Sequence, residues 1–377
     1  MRVLVLGAGF GGLELATSLS EALGSGVEVT LIDKSDHFIF GYSKLDVIFG
    51  KQEASAVLVP YSAIAKPGVE FRQETIVSID PDRKRAVTDQ GTYEGDVLVV
   101  ALGADLDPSA TPGLVEGGYE FFSVEGSERL RDVLPTFKGG SVVVAVTTPH
   151  YKCPPAPSEI AMLMHDYLIE RGLRGASRIT LVTPLGSPLP VTPEVGASIL
   201  AELTDRGIDF MGNTTITGIA PGGRAVQFAD GSAIASDLIL AVPLHVAPPV
   251  VIESGLTEGG WIPVDKYTLK TRFPDVYALG DVASVGVPRA GVFSERQGKV
   301  VADQLIARYR SGGDAAPYDG TGTCYIEFGR DSVGRVDVDF LSGPERTAVI
   351  QRPSPALRAE KTLFGSSRRA RWFGLDH

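Results

Sequence analysis

The two cysteines of this 377-residue chain, Cys153 and Cys324, are the side chains best suited to redox chemistry. A thiol reacts as its thiolate, so positive charge and a helix N-terminus nearby make it reactive. Cys153 precedes a predicted helix at about 158–171, and Lys152 and His150 add positive charge. We therefore expect Cys153 to favour the thiolate form.

The residues alone leave more than one role open for the cysteines and for the carboxylate that follows the first of them. Free cysteines are commonly core filler, so the residues alone favour two separate buried thiols, with a catalytic pair as the alternative. Glu159 lies in the first turn of the predicted helix, where it is either a proton acceptor for a sulfur substrate or an ordinary N-terminal carboxylate. Neither cysteine belongs to a Cys-x-x-Cys motif and the chain has five histidines, so we predict no metal site.

A second chemical signature is the glycine-rich turn after the first predicted strand. Glycines in the pattern Gly-x-Gly-x-x-Gly allow a tight turn, close approach of the backbone to a pyrophosphate, and packing of the helix on the strand. An acidic residue about twenty positions later is suited to accept ribose hydroxyls. The alternative is a glycine-rich turn that binds nothing. The predicted dinucleotide contacts here are Gly7, Gly9, Gly11, Gly12, Asp33 and Lys34.

Two further segments, residues 99–104 and 271–281, resemble motifs of flavin disulfide reductases. In those proteins a glycine–aspartate pair closes over the ribityl chain and the phosphates. The resemblance implies that the cofactor is FAD and that Asp281 holds a ribityl hydroxyl. The residues implied in cofactor binding are Ala101, Gly103, Gly280, Asp281, Arg289 and Gly291.

The cysteine segments resemble those of sulfide:quinone oxidoreductases and of the flavoprotein subunit of flavocytochrome c sulfide dehydrogenase. The matching segments are 150–159, 260–265, 288–295 and 322–327. The resemblance implies a Cys153–Cys324 disulfide beside the flavin, attacked by sulfide. One sulfur then carries a persulfide and the other thiolate passes two electrons to the flavin. By the same resemblance Cys324 is the flavin-proximal sulfur, Cys153 carries the sulfur chain, and Glu159 is the candidate proton acceptor.

Three departures from that family matter. Many members have a third cysteine where residues 104–152 contain none, which argues against three-cysteine polysulfide chemistry. The flavocytochrome subunit attaches its flavin through a cysteine, and Tyr42 and Ser43 stand in that segment here, so the FAD should be noncovalent. Arg289 replaces a common lysine, which keeps a cation near the flavin but changes its geometry.

The elements that must position these residues form two repeats of strand, turn, helix and strand. We predict an α/β fold with two Rossmann-like dinucleotide-binding domains, the second inserted in the first, and a small C-terminal α+β region. The first domain comprises residues 1–104 and 262–317, the second 105–261, and the third 318–377. The second repeat lacks a glycine-rich turn after its strand at 141–147 and carries Cys153 instead. One extended element, 69–79, is expected to pair antiparallel with 84–88.

Composition limits the partners. A net charge of −11 argues against nucleic acid. The chain begins directly in a predicted strand and has no apolar run long enough to span a bilayer, so a cytoplasmic protein is expected. A quinone acceptor needs an apolar slot. The basic and apolar segment 368–375 is either a contact with an anionic membrane surface or a frayed terminus. The aromatic candidates for the quinone slot are Tyr325, Phe328, Phe340, Trp372 and Phe373.

The sequence thus predicts an FAD-dependent oxidoreductase that oxidises sulfide or a small thiol and reduces a quinone. Two other interpretations stay open. A relative of type II NADH dehydrogenases would need a glycine-rich turn in the second repeat. A flavin-bearing sulfur sensor would use the same cysteines without turnover. The sulfur product, the acceptor and the oligomeric state are not determined by the residues.

Overall fold

Two parallel sheets of five strands each form the centre of the molecule. The computed structural model describes residues 1–313 and 315–375, so Asp314, Asp376 and His377 of the predicted domains lie outside the described residues. The first sheet has the strand order Val276–Ala278, Val97–Val100, Arg2–Leu6, Glu28–Asp33 and Val69–Gln73.

The first sheet forms because its strands are apolar on both faces. All four residues of Val97–Val100 are buried, as are the last four of Arg2–Leu6. Such runs are typical of parallel sheets covered on both sides by helices. The helices Phe10–Leu23 and Gly291–Tyr309 belong to this half and pack closely together. Gly11 lies in this helix contact, because a Cβ there would come within 2.9 Å of the Ser294 carbonyl oxygen.

The second sheet repeats this plan. Its strand order is Tyr119–Glu120, Leu238–Val242, Gly140–Val146, Ser177–Val182 and Ile208–Met211, all parallel. The helices Ala156–Glu170 and Pro193–Asp205 accompany it. The predicted α/β fold class with two Rossmann-like cores is therefore confirmed.

The extended element expected at 69–79 is in fact two strands in two sheets. Val69–Gln73 extends the first parallel sheet beside Glu28–Asp33, whereas Ile76–Asp80 pairs antiparallel with Arg85–Thr88. The prediction of one antiparallel strand was wrong. Residues 74–75 separate the two strands, and local propensity does not reveal which sheet each joins.

The C-terminal region is an antiparallel sheet followed by a long helix. The strands Thr321–Glu327, Val333–Asp339 and Thr347–Gln351 pair in sequence order, and the helix is Pro355–Phe373. Ser354 caps this helix by accepting a 3.2 Å hydrogen bond from the Leu357 N–H. The sheet brings Cys324 to the face of the second parallel core.

Short elements connect these parts. The short strands are Thr92–Glu94 beside Arg85–Thr88; Ile216–Ile219, Ala225–Phe228 and Ala233–Ala235; and the pairs Asp105–Asp107 with Leu244–Val246, His37–Ile39 with Leu58–Pro60, and Ile262–Pro263 with Ala283–Ser284. The short helices are Ser43–Ile48, Ala54–Val57, Leu114–Gly117, Val124–Val133 and Pro249–Glu253. Within residues 1–313 and 315–375, no helix has the length and apolar character needed to cross a membrane.

Candidate active site

A cavity of about 290 Å³ brings most of the predicted site residues together. It lies where the strands Arg2–Leu6, Val97–Val100 and Val276–Ala278 end, the usual place for a ligand in a doubly wound fold. The predicted residues that line it are Gly9, Gly11, Ala101, Gly103, Gly280, Asp281, Gly291, Cys153, Glu159 and Cys324.

The glycine-rich turn combines residues that hold the backbone with one that leaves room for a ligand. Gly7 has φ +105°, and a Cβ on it would come within 2.3 Å of the Ala101 carbonyl oxygen. A Cβ on Gly12 would come within 2.0 Å of the Gly7 carbonyl oxygen. Gly9 lines the cavity, and a Cβ there would meet no atom within 4 Å. The turn is therefore shaped to admit a pyrophosphate at Gly9.

Asp281 provides a second test of the cofactor. Its Oδ1 is buried and has no hydrogen-bond partner within the part of the chain that the structure describes. Burial raises the pKa of this carboxyl, while Lys152 and Arg289 oppose the rise. A buried acceptor without a partner is costly unless a ligand supplies the donor. A ribityl hydroxyl would do so, and the residues present therefore fit FAD.

The remaining predicted cofactor residues lie beside the cavity rather than on it. The Asp33 carboxylate accepts hydrogen bonds from the Ala8 N–H at 2.8 Å and the Ser35 N–H at 2.9 Å, so it fixes the glycine-rich turn. Lys34 is exposed next to it. Arg289 donates through Nε to the Asp281 carbonyl oxygen at 2.8 Å. Its guanidinium lies 3.7 Å from the centre of the Trp261 ring, a cation–π contact that holds the cation near the cavity.

Cys153 occupies a strained turn that leads into the helix Ala156–Glu170. Its φ of +55° lies in the left-handed region, which non-glycine residues adopt rarely. Two hydrogen bonds hold this conformation: the Cys153 N–H donates to the Arg289 carbonyl at 2.7 Å, and its carbonyl accepts from the Ala156 N–H at 2.9 Å. The backbone of Cys153 is thereby hydrogen-bonded to Arg289, the residue whose side chain donates to the Asp281 carbonyl oxygen.

Cys324 approaches the same cavity from another part of the fold. It lies in the strand Thr321–Glu327, paired with Val336 of the neighbouring strand. Both cysteines are free thiols here and both line the cavity. Residues far apart in the chain thus share one enclosed space.

The expectation that Cys153 favours its thiolate is wrong for this structure. Burial raises the pKa of Cys153 well above its usual value, and Glu159 and Cys324 add to the rise. Burial and Glu159 likewise raise the pKa of Cys324 to about 12. The Ala156 N–H at the helix start opposes the rise at Cys153 but does not reverse it. His150 is exposed and does not line the cavity.

The cation that does act on Cys153 is Lys44, which the sequence reasoning missed. It lies in the short helix Ser43–Ile48, lines the cavity and lowers the pKa of Cys153. Burial lowers the pKa of Lys44 itself to about 8, with Lys152 adding to the fall. The signal available in the sequence was its position next to Tyr42 and Ser43, the segment already compared with the flavin attachment of flavocytochromes.

Glu159 lines the cavity and is buried, with 3% of its surface exposed. Its Oε1 accepts a 2.9 Å hydrogen bond from the Glu327 N–H. Burial raises the pKa of Glu159 to about 7, against the opposing effects of Lys361 and of this hydrogen bond. A carboxyl with such a pKa takes up and releases protons near neutral pH, as a general base must.

Of the five aromatic residues predicted to line an acceptor slot, Tyr325 alone lines the cavity. Phe328, Trp372 and Phe373 are buried in the hydrophobic cores, and Phe340 packs against one of them. Sequence reasoning missed the aromatic residues that do line the cavity with Tyr325, because they come from helices and turns elsewhere in the chain. These residues are Phe10, Tyr42, Phe121, Phe122 and Phe364.

The basic C-terminal segment is neither frayed nor free. It belongs to the helix that ends at Phe373. Arg368 forms an ion pair with Glu295 at 2.8 Å, and Arg371 pairs with Glu14 and Glu21. These two arginines therefore tie the helix to the first half of the fold.

Comparison with known proteins finds relatives named as sulfide:quinone oxidoreductases. The chain is 25% identical over 362 residues to the mitochondrial sulfide:quinone oxidoreductase of Mus musculus, covering 92% of this chain and 80% of that protein. It is 25% identical over 389 residues to the sulfide-quinone reductase of Aquifex aeolicus, covering 96% and 89%. The crystal structure of the Aquifex aeolicus sulfide:quinone oxidoreductase matches with a TM-score of 0.87 and 21% identity, covering 99% of this chain and 92% of the other.

These similarities confirm the resemblance to sulfide:quinone oxidoreductases that the cysteine segments predicted. They also imply a flavin cofactor, as the fit of the cavity does. Residues 1–299 match the family described as pyridine nucleotide-disulphide oxidoreductase. The chain is an oxidoreductase that belongs to this family.

Proposed function

We propose that this protein oxidises sulfide or a small thiol through a Cys153–Cys324 disulfide and passes the electrons by way of FAD to a quinone. The single observation that carries the proposal is the convergence of both cysteines on one cavity that also contains Gly9 and Asp281. The two sulfur atoms and the proposed cofactor site would then share one cavity.

The sulfur step begins from the oxidised pair. Hydrogen sulfide attacks one sulfur of the disulfide and gives its proton to Glu159. The S–S bond breaks, leaving a persulfide on Cys153 and a thiolate on Cys324. A second sulfide or a small thiol then accepts the sulfane sulfur. Over one turnover, H₂S, one thiol and one quinone become one hydropersulfide and one quinol, so two electrons and two protons are transferred.

Each residue has a task in this scheme. Lys44 stabilises the anionic sulfur at Cys153, since it is the cation that lowers the pKa of that thiol. The strained turn fixes the sulfur of Cys153, because two backbone hydrogen bonds hold it. FAD supplies the two-electron acceptor when bound. We propose noncovalent binding, because Tyr42 and Ser43 stand in the segment that carries the flavin-linked cysteine of flavocytochromes.

The apolar part of the cavity suits a quinone ring. Tyr325 and Phe364 lie at one side of it, with ring centres 6.0 Å apart. Aromatic walls of this kind bind flat apolar ligands and exclude water. The two rings come from the C-terminal sheet and the C-terminal helix, so the acceptor would enter from that region.

Anaerobic titration of the purified protein, followed by flavin absorbance, tests the proposal. Sulfide should bleach the flavin of the native protein, and the Cys153→Ser/Cys324→Ser double variant should keep its yellow colour but lose this reduction. Unchanged reduction in the double variant would rule out the disulfide route. Steady-state sulfide consumption with a soluble quinone separates an enzyme from a sensor, which would stop after one equivalent.

The same titration with NADH tests the type II NADH dehydrogenase alternative. Residues 147–155 join the second-core strand to its helix without a glycine-rich turn, and Cys153 and three prolines occupy that segment. A dinucleotide pyrophosphate needs such a turn for close approach of the backbone. NADH should therefore leave the flavin oxidised, and rapid bleaching by NADH would favour the alternative.

A further inference from the structure

A buried ion pair lies between the cavity that both cysteines line and a second, larger cavity on the outside of the protein. Lys361 Nζ pairs with Glu327 Oε1, and their side chains are 11% and 12% exposed. Removing two charges from water costs several kcal/mol, so a buried ion pair is weak evidence for stability. Its position between two cavities suggests a different role.

The outer cavity is a groove of about 1130 Å³ that both members of the pair help to line. It runs along the helix Pro355–Phe373 and the segment 42–57. Its rim includes Arg358 and Asp331, which are 55% and 54% exposed and pair with each other at 2.7 Å. The groove is therefore open to solvent.

The inner end of the pair reaches Glu159. The Glu159 Oε1 accepts its hydrogen bond from the backbone N–H of Glu327, the residue whose side chain holds Lys361. Lys361 acts on the charge of Glu159, as does the Glu327 carboxylate. Glu159 is thus joined through the Glu327 backbone to the Glu327–Lys361 pair, which lines the groove.

Tyr42 forms part of the wall between the two spaces. It lines both the cavity and the groove, and Lys361 Nζ lies 4.6 Å from the centre of its ring. The cation–π contact fixes the ammonium over this wall.

We propose that Glu327 and Lys361 form the proton exit that returns Glu159 to its ionised state after each sulfur step. The inference rests on the proposed function, in which Glu159 accepts the proton of hydrogen sulfide. That proton passes from the Glu159 carboxyl to the Glu327 carboxylate and then to solvent in the groove, with Lys361 balancing the charge. No electron moves in this step and no bond other than O–H is broken.

The charged and titratable groups on every side of this path are known from the structure. On the cavity side Glu159 acts on Cys153 and on Cys324. On the groove side Glu327 and Lys361 act on Asp46 of the short helix Ser43–Ile48, and Lys51 pairs with Asp46 at 3.7 Å. The other charged and titratable groups that line the groove are Tyr42, Asp331, Arg358 and Arg369.

The experiment measures steady-state sulfide consumption by the holoprotein with a soluble quinone over a range of pH, because only repeated turnover requires Glu159 to lose its proton. Glu327→Gln should slow this turnover about tenfold near neutral pH, because proton removal from Glu159 becomes limiting. Added formate, a small weak acid that fits the open groove, should restore the rate. Glu327→Asp keeps a carboxylate and should retain most of it. Asp331→Asn is the matched control, since Asp331 lines the same groove but pairs with Arg358.

The outcomes separate this inference from the proposed function. If sulfide fails to bleach the native protein, the proposed function is wrong. If the native protein is bleached and Glu327→Gln keeps its rate and pH profile, the proton exit is wrong. A slow Glu327→Gln variant that formate does not rescue would also overturn it, because a structural defect would explain the loss. Lys361→Met, in which Glu327 is intact, gives a second check. This variant should shift the pH profile of the sulfide reaction, because Lys361 acts on the charge of Glu159.

Discussion

Trp372 Nε1 donates a 2.9 Å hydrogen bond to Oε2 of Glu14, a carboxylate that is 3% exposed. Glu14 belongs to the helix that follows the glycine-rich turn, and Trp372 lies in the last turn of the C-terminal helix. Arg371 pairs with the same carboxylate, and Ser18 Oγ donates to it at 3.0 Å. The end of the chain therefore supports the helix whose start faces the cofactor cavity.

We expect Glu14→Gln to lower the free energy of unfolding by about 1–3 kcal/mol. Breaking a buried pair leaves an uncompensated charge, and the effect is reduced here because Arg371 is about a third exposed. Glu21→Gln is the matched control, since Glu21 pairs with the same arginine at 3.0 Å but is itself half exposed. It should cost less than about 1 kcal/mol. Urea unfolding of both variants measures the difference, and equal losses would contradict this assignment.

Gly9→Ala and Gly12→Ala should separate cofactor binding from folding. Gly9 has φ −75°, which alanine adopts easily, and its Cβ would point into open space. This variant should fold normally but bind FAD at least about tenfold more weakly, because the methyl group occupies the pyrophosphate position. Gly12→Ala should instead lower the stability of the fold, since its Cβ would come within 2.0 Å of a carbonyl oxygen.

Thermal unfolding of flavin-free protein and fluorescence titration with FAD measure the two effects of these glycine substitutions. Normal FAD affinity in Gly9→Ala would contradict the assignment of the turn.

Lys44→Gln should raise the pH at which Cys153 becomes reactive, since the neighbouring cation that favours the thiolate is removed. Alkylation by iodoacetamide as a function of pH, in a Cys324→Ser background, reports Cys153 alone. Lys44→Arg keeps the charge and should shift the profile less. Lys51→Gln is a control, because Lys51 pairs with Asp46 at 3.7 Å on the groove side. A change in flavin spectrum without a change in alkylation would mean that Lys44 serves the isoalloxazine instead.

Glu159→Gln should stabilise the protein at neutral and alkaline pH. The folded state raises the pKa of this carboxyl from 4.5 to about 7, so the folded protein holds a proton that the unfolded chain has lost. The contribution of this carboxyl to the free energy of unfolding is fully present below about pH 4.5. It is lost as the pH rises to about 7. The variant has no charge to bury, so its advantage should grow through that window to about 3 kcal/mol. Urea unfolding at several pH values tests this, and a constant difference would contradict it.

The sequence by itself determined the α/β fold class and the position of the glycine-rich turn. Runs such as Val97–Val100 are apolar throughout, and such runs are buried on both faces in parallel sheets. The spacing of Gly7, Gly9 and Gly12 predicts a phosphate turn because each position has its own steric requirement. These signals are local, so they can be recognised without the fold.

Only the tertiary structure decided which side chains meet around the sulfur atoms. The environment of Cys153 depends on Lys44, Glu159 and Cys324, which come from three separate elements. Its local context of Lys152 and a helix start predicted a thiolate, and burial reversed the sign of the shift. A pKa is set by distances and by exclusion of water, and both arise from packing between segments that are remote in the chain.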